Sequence, residues 1–557
     1  MRQGSADPAG FSSIPRDGSP IRRGRSQRLI WIIVVLALLP VAGLYLAHVL
    51  GAPDAATGFL QYDQAYYMAN ARKHFDQGFS LLYGLPFSPD YNTPRVYGQP
   101  QSLVLGTLLR LTGMDPGVVY VAFGLIAALA CLRLAIALFD RLAPRRGFAG
   151  HLVLMLVLWG GGAVVLSRVV MGWLSGVRWT AVRTSLFAYD PSIGWWFLNF
   201  GRTLIMPLEA YYHALFFATI LLLLGRRWAA GLALLALTSV SHPFTGLELL
   251  LVVSAWVGLE RLVVRQSQPP LWFAGGVGVL FALHLGYYLW LLNLLSPEHR
   301  ILQTQWSLDW GAKWYQQLAC WGPAAGLAGL RLRSRSRIVA AWRDPAFRLL
   351  LAWFLAAFAL VNHDLVIKPM QPLHFSRGYV WLPLMLMGAP ALVELLERLQ
   401  SGWRWAVGAG LAVLLLLDNG VWFTLNGLSY LRGERPGWAM LMPPNGRAMA
   451  KRLNQPDAAG RLLLADDCDL AYLMLVYTPL RTWASHTFNT LDRPGRLREL
   501  NALFHDGVEL TAWRTRPLAA LADKRTNPDV VPRLQGLGFT LVQENTTYAL
   551  LFRDRQD

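Results

Sequence analysis

Eleven apolar runs divide the chain, at 29–50, 117–140, 148–172, 204–224, 229–241, 243–259, 271–295, 313–330, 346–361, 379–397 and 405–425. A bilayer core takes about 20 apolar residues of helix. The pattern therefore predicts a polytopic α-helical membrane protein with about 11 transmembrane helices. The runs 229–241 and 243–259 are short and Pro243 separates them, so they read as two spans or as one broken hairpin. Residues 1–28 are rich in Gly, Ser, Pro and Arg and predict a disordered cytoplasmic N-terminus. The run 29–50 is too long for a signal-peptide core and reads as a retained anchor.

Past residue 426 the pattern changes. Leu462-Leu463-Leu464-Ala465-Asp466 predicts a strand ending in acids, and 469–478 a helix. Residues 538–552 predict a hairpin turning at Glu544-Asn545-Thr546-Thr547. The expected organisation is a terminal segment 1–28, a membrane domain 29–426 with a large first loop 51–99, and a small α/β domain 427–557.

Composition supports the membrane reading. Hydrophobic residues make up 54% of the chain and charged ones 15%, where a soluble domain carries about 25% charged residues. The net charge of +18 does not point to nucleic acid, because the positive residues gather in short loops between apolar runs. Such loops hold Arg141, Arg145 and Arg146; Arg226 and Arg227; Arg261 and Arg265; Arg331, Arg333, Arg335 and Arg337; and Arg398 and Arg404. Positive charge is retained in the cytoplasm, which orients loop 51–99 and the C-terminal domain outward. The three cysteines form no CxxC or Cys/His spacing, so neither a zinc site nor a disulfide framework is indicated.

Loop 51–99 is far longer than a connector needs. Within it, Asp63, Tyr66 and Tyr67 are spaced to share about one face of a helix near the outer end of the first span. A carboxylate there can act as a general base, or can simply cap the helix. Arg178, Arg183, Arg202, Lys368 and Arg377 break the charge rule by lying outside. Arg377, at the mouth of a span, can take a phosphate on its fork, with Lys368 or His374 assisting; headgroup anchoring or a salt bridge to Asp364 is the plainer role. His242, between two short helices, is either a site residue or a histidine bonded to a carbonyl. Glu209 and His213, four residues apart, are two metal ligands without a third. Asp466, Asp467 and Asp469 read as a solvated turn, and Asn545 fits both a turn and a glycosylation sequon.

The segment Asp63-Gln64-Ala65-Tyr66-Tyr67, followed by Ala71-Arg72 and Gly78-Phe79-Ser80, resembles the first extracytoplasmic loop of GT-C type glycosyltransferases. The likeness is greatest to the bacterial protein-mannosyltransferase and aminoarabinose-transferase-like members. The Ser241-His242-Pro243 turn, the Arg377 loop and an external C-terminal α/β domain fit the same plan. The resemblance implies a multi-pass enzyme of the inner (plasma) membrane, its C-terminal domain periplasmic. It implies transfer of a sugar from a polyprenyl-phosphate carrier to a glycan, lipid or protein acceptor, with inversion and with Asp63 as base. Arg377, Lys368, His374, Arg202 and His242 are then the phosphate and donor contacts, Tyr66 and Tyr67 the substrate contacts, and Trp195 and Trp196 further stacking surfaces. Many members carry two adjacent acids where this chain has Asp63-Gln64, which argues against a metal held by an acidic pair and for a cofactor-free reaction. The competing classes are a flippase for a lipid-linked sugar, against which the lack of an internal repeat counts, and a non-catalytic cell-envelope scaffold.

Overall fold

The computed structural model describes residues 20–143, 147–265, 268–305 and 310–555. The expected disorder of residues 1–28 falls partly outside these; from Pro20 the chain is already helical, running unbroken to Gly51. Helices occupy all eleven apolar runs. Five of them are long and apolar enough to cross a bilayer alone, and seven if each of two bent pairs counts as one span. The chain is thus a multi-pass membrane protein, as the pattern predicts.

Many of these helices begin on a proline. Pro116, Pro207, Pro243 and Pro345 each stand at the first helical position, where the missing N–H costs nothing and φ is already set. At Pro243 the break between Trp228–Ser241 and Pro243–Gly258 is a single residue, His242, in extended conformation.

One predicted span, 148–172, is broken into Gly147–Trp159 and Val164–Leu174, bent by 76°. The break at Gly160-Gly161-Gly162 frees backbone groups that lipid cannot satisfy. Two neighbouring side chains of the helix Ser401–Leu431 meet them. The Asp418 carboxylate accepts from Val164 N (2.7 Å) and Val165 N (2.9 Å), and Asn419 Nδ2 donates to Trp159 O (2.7 Å).

The C-terminal segment forms the expected α/β unit. Its five-stranded sheet runs β2-β1-β3-β5-β4, with β1 Leu462–Ala465, β2 Arg481–Thr482, β3 Leu518–Asp523, β4 Thr540–Glu544 and β5 Tyr548–Arg553. β1 is parallel to β2 and β3, whereas β5 is antiparallel to β3 and β4. Asn545 makes the hairpin turn, its Oδ1 accepting from Thr547 N and Tyr548 N. The acidic run is structural: Asp466 accepts from Asp523 N, Asp467 caps the helix Cys468–Tyr477, and Asp469 pairs with Arg435. This unit packs directly on the first loop. Met442 N donates to Ala55 O (2.7 Å), Met440 N to Phe59 O (3.0 Å) and Tyr472 OH to Tyr62 O (3.1 Å). A shared apolar core joins Phe59, Met68 and Tyr120 to Met474 and Leu475.

Candidate active site

The first loop forms the helix Gln64–Arg72, as the spacing predicts. Asp63 stands at its start, but the carboxylate makes no capping hydrogen bond. It turns aside instead, where Gln61 Nε2 donates to Oδ2 (3.2 Å) and His486 Nε2 lies 3.6 Å from Oδ1. The side chain keeps 37% of its accessibility. Gln64 points the other way. It is fully buried, its Oε1 accepts from Leu60 N (2.7 Å), and its Nε2 donates to Ile205 O (3.0 Å). The residue that replaces the second acid is therefore a strut between the loop and the chain entering the helix Pro207–Leu224. A carboxylate there would face a carbonyl oxygen it could not bond.

Arg377 comes from the opposite side. The glycine after it has φ +80°, and a Cβ there would lie 3.0 Å from Phe200 Cα and 3.4 Å from His213 Nε2. Only glycine fits this turn, which brings Arg377 inward. Its Nη1 donates to Glu209 Oε1 in a buried ion pair, so the partner is Glu209 and not Asp364. Its Nε has no hydrogen-bond partner among the described residues. Among the described residues the guanidinium is thus bonded through Nη1 alone. Trp196 lies under the same group, 5.5 Å from ring centroid to guanidinium carbon.

Aromatic residues near Asp63 and Arg377 pack on one another. Tyr66 stacks on Phe87 (5.5 Å) and meets Tyr67 edge-on (5.3 Å); Tyr67 stacks on Tyr120 (6.4 Å). His374 stacks on Phe244 (4.4 Å) and meets Trp196 at 5.1 Å. His242 stacks on Tyr212 (4.4 Å), and its Nδ1 accepts from Thr245 N, capping the next helix. The charge of Arg377 reaches Asp63, Tyr67 and His374, and that of Glu209 reaches Tyr67. Asp63, Tyr66, Tyr67, His242, His374 and Arg377 therefore belong to one cluster, linked by ring contacts and by the charge of Arg377.

Two expected contacts do not. Arg202 is wholly buried and committed elsewhere, with Nη1 donating to Asp190 Oδ2 (2.7 Å) and Gly194 O (3.1 Å) and Nε donating to Asn419 Oδ1 (2.9 Å). These bonds pin a turn in which Ser192, Ile193 and Phe197 all have positive φ, and that turn presents Trp196 to Arg377. Arg202 is a clamp outside this cluster. Lys368 is exposed on the loop before Arg377, with no contact to the cluster among the described residues. Trp195 packs on Trp422 (4.9 Å), away from Asp63.

Two members went unpredicted in these roles. Glu209 stood out only beside His213 as a metal pair, yet its carboxylate serves Arg377, while His213 Nδ1 bonds Glu209 O (2.8 Å). His486 carried no signal, because a histidine after a short strand fits any loop.

The site's titration has a definite sign. Burial lowers the His486 imidazole, and Asp63 only partly offsets this. Burial raises the Asp63 carboxyl, but His486, Gln61 and Arg377 together outweigh it and hold it below the usual range. Burial also puts His374 well below its ordinary value. All three groups bind fewer protons when folded, so stability rises with pH. The thermal midpoint in detergent should be flat from pH 8 to 7. It should fall as pH drops below about 6.5, where unfolded histidine protonates, and again below about 4, where unfolded Asp does. A midpoint unchanged between pH 7 and 4 would contradict this account.

Comparison with known proteins gives a fold-level likeness. No family model matches the chain, and no curated protein matches it. Among solved structures, it is similar to ArnT from Cupriavidus metallidurans in the apo state, at 14% identity over 95% of this chain and 98% of that one, with a TM-score of 0.48. The archaeal oligosaccharyltransferase AglB from Archaeoglobus fulgidus, solved with an inhibitory peptide and a dolichol-phosphate, matches at 12% identity over 91% of this chain and 71% of that one, TM-score 0.42. The arabinofuranosyltransferase AftD from Mycobacteria matches at 17% identity over 94% of this chain and 40% of that one, TM-score 0.46. At these identities and scores, the chemistry has to be read from the side chains.

Proposed function

We propose that the chain is a membrane glycosyltransferase that takes a sugar from a polyprenyl-phosphate carrier at the extracytoplasmic end of its helix bundle. The observation that carries this reading is an accessible carboxylate, Asp63, within electrostatic reach of a guanidinium, Arg377, that among the described residues is bonded through Nη1 alone. A phosphate monoanion or diester accepts two parallel N–H bonds from a guanidinium. Aromatic side chains suit a sugar ring, whose C–H faces pack on them while its hydroxyls bond at the rim.

The reaction follows as one displacement. An acceptor hydroxyl attacks the anomeric carbon from the face opposite the phosphate. The new C–O bond forms as the bond from the anomeric carbon to the phosphate oxygen breaks. The hydroxyl proton goes to the Asp63 carboxylate, and the bonding pair leaves with the polyprenyl phosphate. Arg377 meets the charge that develops on the leaving oxygen. Inversion at the anomeric carbon is the consequence. Every step uses the chain's own side chains. The acceptor is a hydroxyl on a glycan, lipid or protein, and the transferred sugar is a hexose or pentose.

Purified chain in detergent should be stabilised by farnesyl phosphate but not by farnesol, the shift growing with ligand concentration as binding to the folded state requires. Farnesyl phosphate should then be released from at least one member of a panel of glycosyl farnesyl phosphates. Release from none of them, with movement of an intact donor across proteoliposomes, would make the protein a flippase and end the proposal.

A further inference from the structure

We infer that His486, supplied by the C-terminal domain, is the positioning residue that aims the Asp63 carboxylate. The inference rests on the glycosyl-transfer reading and adds to it a part for the soluble domain. Phe488 N (3.1 Å) and Asn489 N (3.2 Å) both point at His486 Nδ1. A backbone N–H can only donate, so Nδ1 carries no hydrogen. In the neutral ring the hydrogen then sits on Nε2, the atom that faces Asp63 Oδ1 at 3.6 Å. That distance is long for a hydrogen bond, and catalytic contacts of this kind tighten when substrate binds.

The ring cannot turn away. Tyr62, Tyr66, Phe87 and Tyr472 surround it at centroid distances of 4.9–5.8 Å, and its side chain is 2% exposed. Tyr62 is gripped by the same loop, accepting from Thr487 N (2.9 Å). The loop that orients the histidine therefore also holds the residue next to Asp63. The charges facing the pair are Arg377 toward Asp63 and Arg493 toward His486. His486 has no solvent path along which to pass a proton. It fixes the rotation of the carboxylate together with Gln61, and the proton from the acceptor stays on Asp63. A catalytic carboxylate rotated out of line loses rate without losing donor affinity.

The test compares the full-length wild type with His486→Phe and His486→Gln, using whichever glycosyl farnesyl phosphate the wild type cleaves. His486→Phe should lower kcat roughly 10- to 100-fold with KM for the donor unchanged, the loss expected for one hydrogen bond to a charged group. The acid limb of its pH–rate profile should move to higher pH, because Asp63 loses a donor that favours its ionised form. His486→Gln, which keeps an N–H, should recover part of kcat. An unchanged kcat and acid limb in His486→Phe would overturn the inference. A substrate-free readout keeps the two proposals separate. Thermal midpoints of Asp63→Ala, His486→Phe and the double variant should be non-additive, even if no donor in the panel is turned over and the transferase reading falls. Additive midpoints would overturn the pairing of the two residues whatever the reaction is.

Discussion

Asp63→Asn should reduce turnover of the glycosyl farnesyl phosphate by about 10²- to 10⁴-fold, the range over which a positioned general base acts. The loss should fall on kcat, because in the proposed mechanism the donor phosphate is met by Arg377 and the amide keeps the size of the carboxylate. Asparagine also retains an oxygen that can accept from Gln61 Nε2 or His486 Nε2, the two groups beside the acid. Since Asp63 does not cap its helix, no capping energy is lost, and the thermal midpoint should stay close to that of the wild type. Farnesyl phosphate should still raise that midpoint. Steady-state kinetics with a parallel melting curve separates the outcomes. Full activity in Asp63→Asn removes the base from the mechanism. Low activity with a collapsed midpoint would make Asp63 a folding residue.

The parts of the site legible in the sequence are those that a local pattern can carry. The first-loop helix announced itself through loop length and the Asp63-Tyr66-Tyr67 spacing, because residues three and four apart share a helix face. Arg377 stood out because positive charge is rare in outer loops. That same rule selected Arg202 and Lys368, and it cannot tell a guanidinium bonded through one nitrogen from one bonded through two. Arg202 finds Asp190 across a turn held at positive φ by three residues without a glycine's freedom, and no periodicity signals such a turn. Glu209 and His486 were hidden for a related reason. Each matters through a partner in a distant part of the chain, Arg377 for one and Asp63 for the other. The break inside the run 148–172 was hidden in the same way: the Gly160-Gly161-Gly162 opening is tolerable only because Asp418 and Asn419, some 250 residues on, take up the freed backbone. Gln64 shows the reverse case. It departs from the acidic pair of the family it resembles, and its side chain has a structural duty that accounts for the amide.

Arg377→Ala should cost the protein twice, and the two costs can be pulled apart. Glu209 is 1% exposed, and in the wild type its second oxygen already lacks a partner among the described residues. Removing the guanidinium leaves that carboxylate buried and unpaired, a loss of about 3–5 kcal/mol in comparable buried pairs. The thermal midpoint should therefore fall steeply, and any loss of farnesyl phosphate binding in this variant alone would be ambiguous. The double variant Arg377→Met with Glu209→Gln resolves it. With both charges gone, most of the stability should return, since replacing a whole buried pair by well-packed neutral groups is often neutral. Stabilisation by farnesyl phosphate should not return, because the guanidinium is absent. Arg377→Lys should sit between these variants: its ammonium satisfies Glu209 as a point charge but presents no fork to the phosphate. A double variant that folds well and still responds to farnesyl phosphate as the wild type does would show that the phosphate is held elsewhere. In that event the partnership of Arg377 and Glu209 would be a structural strut of the bundle, and the Asp63 site would need another cation to meet its leaving group.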